Sequence, residues 1–502
     1  MLDEQIPDEG RIGVQTVSMR NHPSVIVGNI ISAAIAVGII LLLNVSRYVD
    51  DPQALLDPRF EIMCALLFAG LVFVFWRRWA LTVYTFDENE LTVKRSTVFK
   101  SDVHIQYSRL ASVNVRRGIV NHIFGTTELL FNVNSSVNTS NAEARLTLKS
   151  DEADRLRETI SSRILNRDMA METEKEIESL IRISNADVIL HGLFGQPTSR
   201  ALFGLAMLIY SIASVFYGNG SGSLFAILLF ALSTALPWVR TILRYYNYRI
   251  YRVGDTITVQ SGLISNYRSS FNIKKVNMVR IRQPLLARLM GKALLEAEVV
   301  GLADSDGLPL LCPLKSRKLV MDMGGKLIPE FLVDFERRGQ PKNAFLPTMA
   351  NRLVLALIFI AVGLMLFWAV RNATDESDIV VKVFYAIAFC VTVICPILVM
   401  IHGMLAHGNR EFFMDSDVFV LVIGAYDRET DYIKYDKVQI ASVSVGPVQR
   451  RFGVGRCTVS IMSSTGAKNV TSGVFARDDL DRIPEEVMDR ILDGRYDYRD
   501  YQ

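Results

Sequence analysis

The sequence carries one short motif three times, at nearly equal intervals. A bulky apolar residue is followed by glycine at Phe124 and Gly125, at Met290 and Gly291, and at Phe452 and Gly453. The three glycines are 166 and 162 residues apart, and the segments around them align without a gap. A long fixed period of this kind predicts that the chain folds as three copies of one unit.

Each copy is predicted to form a small antiparallel β domain. The segments ELTVKRSTVF, TITVQSGLIS and VFVLVIGAYD, and the later segments IQYSRLASVNV, FNIKKVNMVRI and IKYDKVQIASVSV, are rich in Val, Ile and Thr, and apolar residues alternate with polar ones in most of them. This period of two is typical of half-buried strands. Pro284 and Pro447 precede the motif in two copies, as expected for a helical turn that ends at a left-handed glycine. We therefore interpret the motif as a structural turn between two strands.

A candidate helix follows every β core. The three segments are DEADRLRETISSRIL, KSRKLVMDMGGKLIPEFL and RDDLDRIPEEVMDRIL. In the third segment Leu480, Ile483 and Val487 can share one apolar face. The segment IRISNADVILHGLFGQP is predicted to be an amphipathic lead-in to the second apolar hairpin.

The apolar residues are concentrated in three pairs of runs. Half of the 502 residues are hydrophobic, and the runs lie at 25–45 and 62–76, at 201–217 and 224–239, and at 353–370 and 383–400. Because roughly 20 helical residues span a bilayer, we predict six transmembrane helices in three hairpins. A signal peptide is the competing interpretation of the first run. The length of that run and the four acidic residues before it argue against cleavage.

The distribution of arginine predicts the orientation in the membrane. Arg77, Arg78, Arg240, Arg244, Arg249, Arg352 and Arg410 flank the runs on one side, whereas the hairpin loops hold few basic residues. Basic residues favour the cytoplasmic side. We therefore expect a multi-pass protein of the cytoplasmic membrane whose termini and β domains are cytoplasmic.

These patterns predict nine segments along the chain. They are an N-terminal segment (1–24), hairpin 1 (25–79), β domain 1 (80–166), a linker with lead-in (167–200), hairpin 2 (201–244), β domain 2 (245–338), a second lead-in (339–352), hairpin 3 (353–406) and β domain 3 (407–502).

The third copy carries a family resemblance. Its segment IKYDKVQIASVSVGPVQRRFGVGRCTVSI, placed after an apolar hairpin, resembles the bacterial membrane-anchored pleckstrin-homology (PH) domain proteins, formerly a domain of unknown function. Three units in one chain resemble the YdbT type of that family. The resemblance implies α-helical membrane hairpins, each followed by a PH-like antiparallel β-barrel or sandwich with a C-terminal helix. It also implies a partner, a smaller membrane protein with one such unit, in a homo- or hetero-oligomeric complex, and no catalytic residues.

The residues themselves indicate no enzyme chemistry. MDMGGKLIPEF lacks the spacing of a phosphate loop, and the histidines and cysteines form no metal-ligand pattern. We expect no catalytic residue, cofactor or metal. A formal net charge of +3 argues against nucleic acid as the main partner. A transporter would need polar groups at membrane depth; Ser211, Ser214, Ser233, Thr234 and Thr392 are explained better by helix packing.

One segment of the second β domain has an unmatched positive charge. Between Leu263 and Lys292 there is no acidic residue, and the candidate contact residues are Arg268, Lys274, Lys275, Arg280 and Arg282. The corresponding segment of the third domain mixes both signs. The basic segment could contact anionic lipid, bind an acidic partner or form an ordinary solvated face, and these alternatives stay open.

We expect a non-enzymatic membrane scaffold or sensor in an envelope-associated complex, whose PH-like domains mediate protein assembly, with anionic phospholipid as a candidate second contact. The alternative is a component of an export or lipid-handling system that protects the membrane. A membrane-bound hydrolase ranks last, because the sequence shows no motif that pairs a nucleophilic residue with a general base.

Overall fold

The fold is that of a computed structural model of the full chain. It describes residues 17–43, 58–96, 100–107, 110–133, 144–164, 183–217, 227–228, 230–263, 266–299, 309–333, 336, 338–373, 379–463 and 466–494. Most of the predicted N-terminal segment, the loops of hairpins 1 and 2 and the first half of the linker lie outside the described residues.

Unit 1 contains the first predicted hairpin and β domain. Its elements are β1 (Val17–Met19), α1 (Ser24–Leu43), α2 (Pro58–Ala80), β2 (Thr82–Phe86), β3 (Glu90–Ser96), β4 (Lys100–Gln106), β5 (Leu110–Arg117), α3 (Ile119–Phe124), β6 (Thr126–Val133), β7 (Ala144–Lys149) and α4 (Ser150–Ile164). Strand β1 lies in the predicted N-terminal segment and pairs antiparallel with β2.

Unit 2 repeats this order after a lead-in helix. Its elements are α5 (Asn185–Phe194), α6 (Thr198–Tyr217), a π-helical segment (Ala231–Ala235), α7 (Leu236–Tyr245), β8 (Arg249–Val253), β9 (Thr256–Ser261), β10 (Asn266–Asn272), β11 (Val276–Gln283), α8 (Leu285–Leu289), β12 (Lys292–Val299), β13 (Leu310–Ser316) and α9 (Arg317–Leu327).

Unit 3 has the most extensive apolar hairpin. Its elements are α10 (Phe345–Ala373), α11 (Ile379–Phe389), a π-helical segment (Cys390–Ile394), α12 (Cys395–Asn409), β14 (Glu411–Met414), β15 (Val418–Ile423), β16 (Arg428–Lys434), β17 (Val438–Ser444), α13 (Pro447–Arg451), β18 (Val454–Ser463), β19 (Gly466–Thr471), β20 (Phe475–Ala476) and α14 (Arg477–Leu492).

The repeated motif turns the chain between two strands in all three units. Helices α3, α8 and α13 are short, and the motif glycines that follow them have φ angles of 60°, 65° and 65° at Gly125, Gly291 and Gly453. This left-handed backbone is accessible to glycine without a side-chain penalty. Closing helices α4, α9 and α14 follow the last strand of each unit, where the sequence predicted them.

The strands form PH-like antiparallel sheets in every unit, but the sheets cross the unit boundaries. The sheet orders are β1-β2-β3-β4, β7-β6-β5-β10-β9-β8, β13-β12-β11-β16-β15-β14 and β17-β18-β19, with β20 on β18. Thus β5 of unit 1 pairs with β10 of unit 2, and β11 of unit 2 pairs with β16 of unit 3. We call these pairings junction 1/2 and junction 2/3.

The hydrophobic cores of units 2 and 3 follow their shared sheet rather than the repeat boundary, whereas the core of unit 1 lies within that unit. The core of unit 2 includes Val418, Val420 and Tyr432 of unit 3. Conversely, Met278 of unit 2 is fully buried in the core of unit 3. Because burial of apolar area is the main favourable term in folding, neither core is complete within its own repeat.

Two described helical segments are long and apolar enough to cross a membrane. They run from Lys342 to Asn372 and from Phe384 to Asn409, and both belong to hairpin 3. The apolar stretches Ser24–Ile35 and Thr198–Ile212, in hairpins 1 and 2, are shorter. The six-helix arrangement is therefore not confirmed within the described residues and stays a prediction.

Polar residues in the hairpins serve helix packing. Thr392 donates a hydrogen bond to its own helix at Ala388 O (2.6 Å), and a Cβ at Gly363 would lie only 2.1 Å from its hydroxyl oxygen. A Cβ at Gly204 would likewise lie close to Thr234, 2.5 Å from its methyl carbon. Small residues permit this close approach of two helices.

Candidate functional site: the junctions between units

The predicted contact residue Arg280 is buried in junction 2/3. Its guanidinium makes two hydrogen bonds to Asp431, at 2.6 and 2.8 Å, and an ion pair with Glu429 at 3.1 Å. The Arg280 side chain is 12% exposed and that of Asp431 is 0% exposed. Bidentate arginine–carboxylate pairs of this kind fix orientation as well as charge. The arginine thus joins two units of the same chain.

The other predicted basic residues have different surroundings. Arg282 pairs with Glu296 at 2.9 Å and donates to Gly195 O at 3.2 Å, whereas Arg268 lies opposite Val115 in junction 1/2. Burial lowers the pKa of Lys275. Lys274 is exposed. Contact of this segment with lipid or an acidic partner stays a prediction.

Junction 2/3 continues beyond the strand pair. Glu298 on β12 is 1% exposed, accepts a hydrogen bond from the Ser463 hydroxyl at 2.7 Å and pairs with Lys468. Asn277 donates from its side-chain amide to Met462 O at 2.8 Å. Unit 2 therefore contacts both halves of unit 3, through polar groups that are hydrogen-bonded to each other.

At the equivalent positions, junction 1/2 has a neutral hydrogen bond instead of the ion pair of junction 2/3. The hydroxyl of Ser269 donates to Asn114 Oδ1 at 3.1 Å, and these residues occupy the repeat positions of Asp431 and Arg280. The guanidinium of Arg116 lies 5.8 Å from the ring centroid of Tyr267, a cation–π distance. Neutral hydrogen bonds contribute less than charge-assisted ones, so this junction has the smaller polar contribution.

The two junctions have the same register. Arg117 lies opposite Asn266, and Gln283 lies opposite Arg428, which are equivalent positions at the repeat intervals of 166 and 162. Since a slip of one residue would reverse every side chain, the register is specified by the strands themselves. The junction is therefore a reproducible mode of joining two PH-like units.

The strand that should make a third junction is open. Strand β17 is equivalent to β5 and β11, yet no strand among the described residues pairs with its outer edge. Ile440 on β17 occupies the position of Met278 and is 63% exposed, whereas Met278 is 0% exposed. The sequence of β17 contains no charged residue. Uncharged open edges are templates for pairing with another strand.

Asp427 connects junction 2/3 to hairpin 2. It accepts a hydrogen bond from the backbone N–H of Thr198 at 3.0 Å, where α6 begins, and another from Leu285 N at 3.2 Å, where α8 begins. Carboxylates are favoured at helix N-termini because of the exposed N–H groups there. The sequence showed Asp427 only as part of a mixed-charge segment, and its helix contacts were not predicted.

The lead-in helix α5 packs on unit 2 through an ion pair and a buried histidine. Ser184 and Asp187 form a capping box at its N-terminus, and Asp187 pairs with Lys315 on β13. The His191 ring meets the Tyr245 ring edge-on at 5.2 Å. Burial, together with the charge of Arg282, lowers the pKa of His191 to about 3.

This histidine predicts acid sensitivity. Between the folded pKa of about 3 and the usual value of 6.5, only the unfolded chain binds the proton, so stability falls as pH falls below 6.5. At a pH of about 5 the loss is about 2 kcal/mol. The unfolding temperature of the full-length protein in detergent is measured near neutral pH and at a pH of about 5. It should fall less on acidification in His191→Phe than in the wild type. Equal shifts in both proteins would contradict this assignment.

Cys312 and Cys457, the two described cysteines of the β domains, are buried. Burial raises the pKa of the Cys312 thiol to about 12 and that of Cys457 to about 12. Nucleophilic cysteines have lowered pKa values. Within the described residues no group of three or more His, Cys, Asp or Glu side chains could hold a metal ion.

Repeated antiparallel sheets, a glycine-closed turn and a closing helix in each unit define a chain of tandem PH-like units. The chain belongs to the bacterial PH domain family, whose model matches residues 22–164, 201–320 and 344–491. It is 20% identical, over 445 residues, to the UPF0699 transmembrane protein YdbT of Bacillus subtilis (strain 168), covering 82% of this chain and 85% of that protein. The predicted family and three-repeat type are thereby confirmed. No solved structure matches the chain.

Proposed function

We propose that this protein is a non-enzymatic membrane scaffold that joins PH-like units edge to edge. The chain carries bacterial PH domains and is similar to a protein named as transmembrane, which supports a membrane-associated PH-domain protein. The six-helix topology, with β domains and termini on the cytoplasmic side, is part of the proposal. It is supported by the arginines that flank the apolar runs.

The observation that carries the proposal is the pair of equal-register junctions beside an open third edge. Both internal junctions bind the strand equivalent to β4 of the following unit. In the same register, Ser442 of β17 would lie opposite the residue equivalent to Ser269 and Asp431. Burial of Ile440 would then follow, as Met278 is buried in junction 2/3. The open edge thus belongs to the strand whose equivalents, β5 and β11, already pair with the following unit.

The proposed occupant is the first sheet of a smaller membrane protein with one PH-like unit. Strand β4 of a second copy is a poorer occupant, because its residues Lys100, Asp102 and His104 are exposed. Charged residues on an edge strand disfavour pairing unless the neighbouring strand supplies opposite charges, and β17 has no charged residue. In self-pairing, Ser442 would also meet Val103, without the polar pair found in both internal junctions.

Photo-cross-linking in the native membrane tests this proposal. With p-benzoylphenylalanine at Ser442, we expect an adduct whose second chain contains one bacterial PH unit. Ile440→Lys should lower its yield at least about tenfold, because burying an isoleucine side chain contributes about 1.5–3 kcal/mol. Met488→Lys is the matched control, since Met488 on α14 is 55% exposed and lies outside β17; its yield should be unchanged.

Two results would contradict the proposal. An adduct between differently tagged copies of this chain would replace the single-unit partner by self-assembly. Failure to form any adduct with a PH unit would reject edge-to-edge assembly at β17. An internal control is the pair Asn114→Cys and Ser269→Cys, which should form a disulfide within one chain because these side chains are in contact.

Contact of the unit 2 basic segment with anionic lipid is a secondary part of this proposal. Its support is the exposed Lys274, since Arg280 and Arg282 already have carboxylate partners within the chain.

A further inference from the structure

Three arginines converge at the base of hairpin 3 without an acidic partner. Arg352 lies in α10, Arg410 follows α12 directly and Arg456 lies on β18. In the described part of the chain, none of the three has a carboxylate within ion-pair distance. The Nε atoms of Arg410 and Arg456 are buried and lack a hydrogen-bond partner among the described residues. Buried donors without partners are rare and costly.

The arginines lie close enough to repel one another. Burial, followed by the charges of Arg456 and Arg352, lowers the pKa of Arg410 to about 10. Burial and the charge of Arg352 also lower the pKa of Arg456. An arginine is ordinarily charged under all biological conditions. The cluster therefore stays positive and is destabilised by its own charges unless an anion lies between them.

The repeat shows that the fold does not require these arginines. Arg410 and Arg456 occupy the positions of Thr82 and Glu128 in unit 1, which line a cavity of about 1040 Å³. In unit 2 the same positions hold Tyr248 and Leu294, which are 3% and 0% exposed. One place in the repeat is thus a cavity in unit 1, an apolar core in unit 2 and a cationic cluster in unit 3.

The cluster lies at one end of the two apolar helical segments that are long enough to cross a membrane. The first begins at Lys342, ten residues before Arg352, and the second ends at Asn409, immediately before Arg410. The side chain of Arg352 passes directly over α12, because a Cβ at Gly403 would lie 2.9 Å from its Cγ. In a hairpin that crosses a bilayer, this end lies at the level of the lipid headgroups.

We propose that Arg352, Arg410 and Arg456 bind one phosphate group, supplied by the headgroup of an anionic phospholipid. Guanidinium groups present several N–H donors in a planar fork and match the oxygens of a phosphate. His402 lies close enough to interact with Arg352 and Arg410, and its Nδ1 atom also lacks a partner within the described chain. The bound phosphate would provide acceptors for the buried Nε atoms and would offset the repulsion between the arginines.

Native mass spectrometry of the full-length protein tests the site. Phosphatidylglycerol and phosphatidylcholine with the same acyl chains are added to the protein in neutral detergent. The wild type should retain phosphatidylglycerol preferentially, and Arg410→Gln with Arg456→Gln should weaken retention at least about tenfold, since hydrogen bonds between charged groups are the strong ones. The matched control replaces Arg450 and Arg451, which are exposed in the same unit, by glutamine. It should retain lipid as the wild type does.

Thermal unfolding identifies the source of the phosphate and checks folding. Without added anion, the double variant should unfold at the same temperature as the wild type or higher, because like charges have been removed. If inorganic phosphate stabilises only the wild type while the wild type and the double variant retain each of the two lipids equally, the phosphate site stands and the membrane is rejected as its source. If neither lipid retention nor phosphate stabilisation differs between wild type and double variant, the proposal is overturned.

Discussion

Replacing Arg280 by methionine should destabilise the protein by about 3–5 kcal/mol, the usual cost of removing one partner from a buried ion pair. The variant leaves Asp431, which is 0% exposed, without its two charge-assisted hydrogen bonds, and leaves Glu429 without its ion pair. The expected measurement is a large fall in the thermal unfolding temperature of the full-length protein in detergent. Junction 2/3 should also become accessible to protease.

A double-mutant cycle separates the charge effect from lost packing. Arg280→Met combined with Asp431→Leu should recover much of the loss, because an apolar pair of similar volume is often as stable as a buried ion pair. Burial already raises the pKa of Glu429. In the single variant Glu429 loses the arginine charge that opposes this rise and favours the protonated form further, so the loss should be larger at alkaline pH than at acidic pH. A double variant no more stable than the single one would contradict this account.

Replacing Gly424 by alanine should cost about 3 kcal/mol, from backbone strain and a steric clash together. Gly424 has a φ angle of 102°, and a Cβ there would lie 1.9 Å from the backbone oxygen of Asp427. The turn would have to open, and Asp427 would lose its hydrogen bonds to the start of α6 and α8. Thermal unfolding should show this loss.

Gly453→Ala is the matched control for Gly424→Ala. Gly453 also has a positive φ, of 65°, but no atom lies within 4 Å of the added Cβ. Only the left-handed backbone penalty of about 1–2 kcal/mol then applies. Equal destabilisation by the two substitutions would show that the contact with Asp427 is not the source of the larger effect.

Much of each unit could be predicted from the sequence, because local rules specify it. The period-two segments formed strands, and glycine followed the short helices α3, α8 and α13. The partner of each strand could not be predicted in this way. The alternation of apolar and polar residues in a strand is the same whether its neighbour belongs to its own unit or to the next. The period alone therefore cannot show that β11 pairs with β16.

The distribution of charge along the sequence indicated a contact made by unit 2, but not the partner of that contact. The acid-free segment of unit 2 predicted a contact with lipid, an acidic partner or solvent. In the structure, Arg280 of that segment faces Asp431 and Glu429 of unit 3, and Arg282 faces Glu296 of its own unit. The contrast between the two segments could have been understood as complementarity within one chain. Arg352 and Arg410 were interpreted only as arginines that flank hairpin 3, and nothing in the sequence placed Arg456 beside them. Residues this far apart in sequence meet only through the hairpin and the sheet.

The crossing of unit boundaries by the sheets has a consequence for synthesis. Strand β5 ends at Arg117, but its neighbour β10 begins only at Asn266. At roughly 5–20 residues per second, the ribosome needs about 8–30 s to supply that neighbour. During this interval the nascent chain displays the same kind of open edge that β17 has in the complete chain before a partner binds. Products truncated after unit 1 or unit 2 would keep such an edge and would compete with the complete protein for its partner.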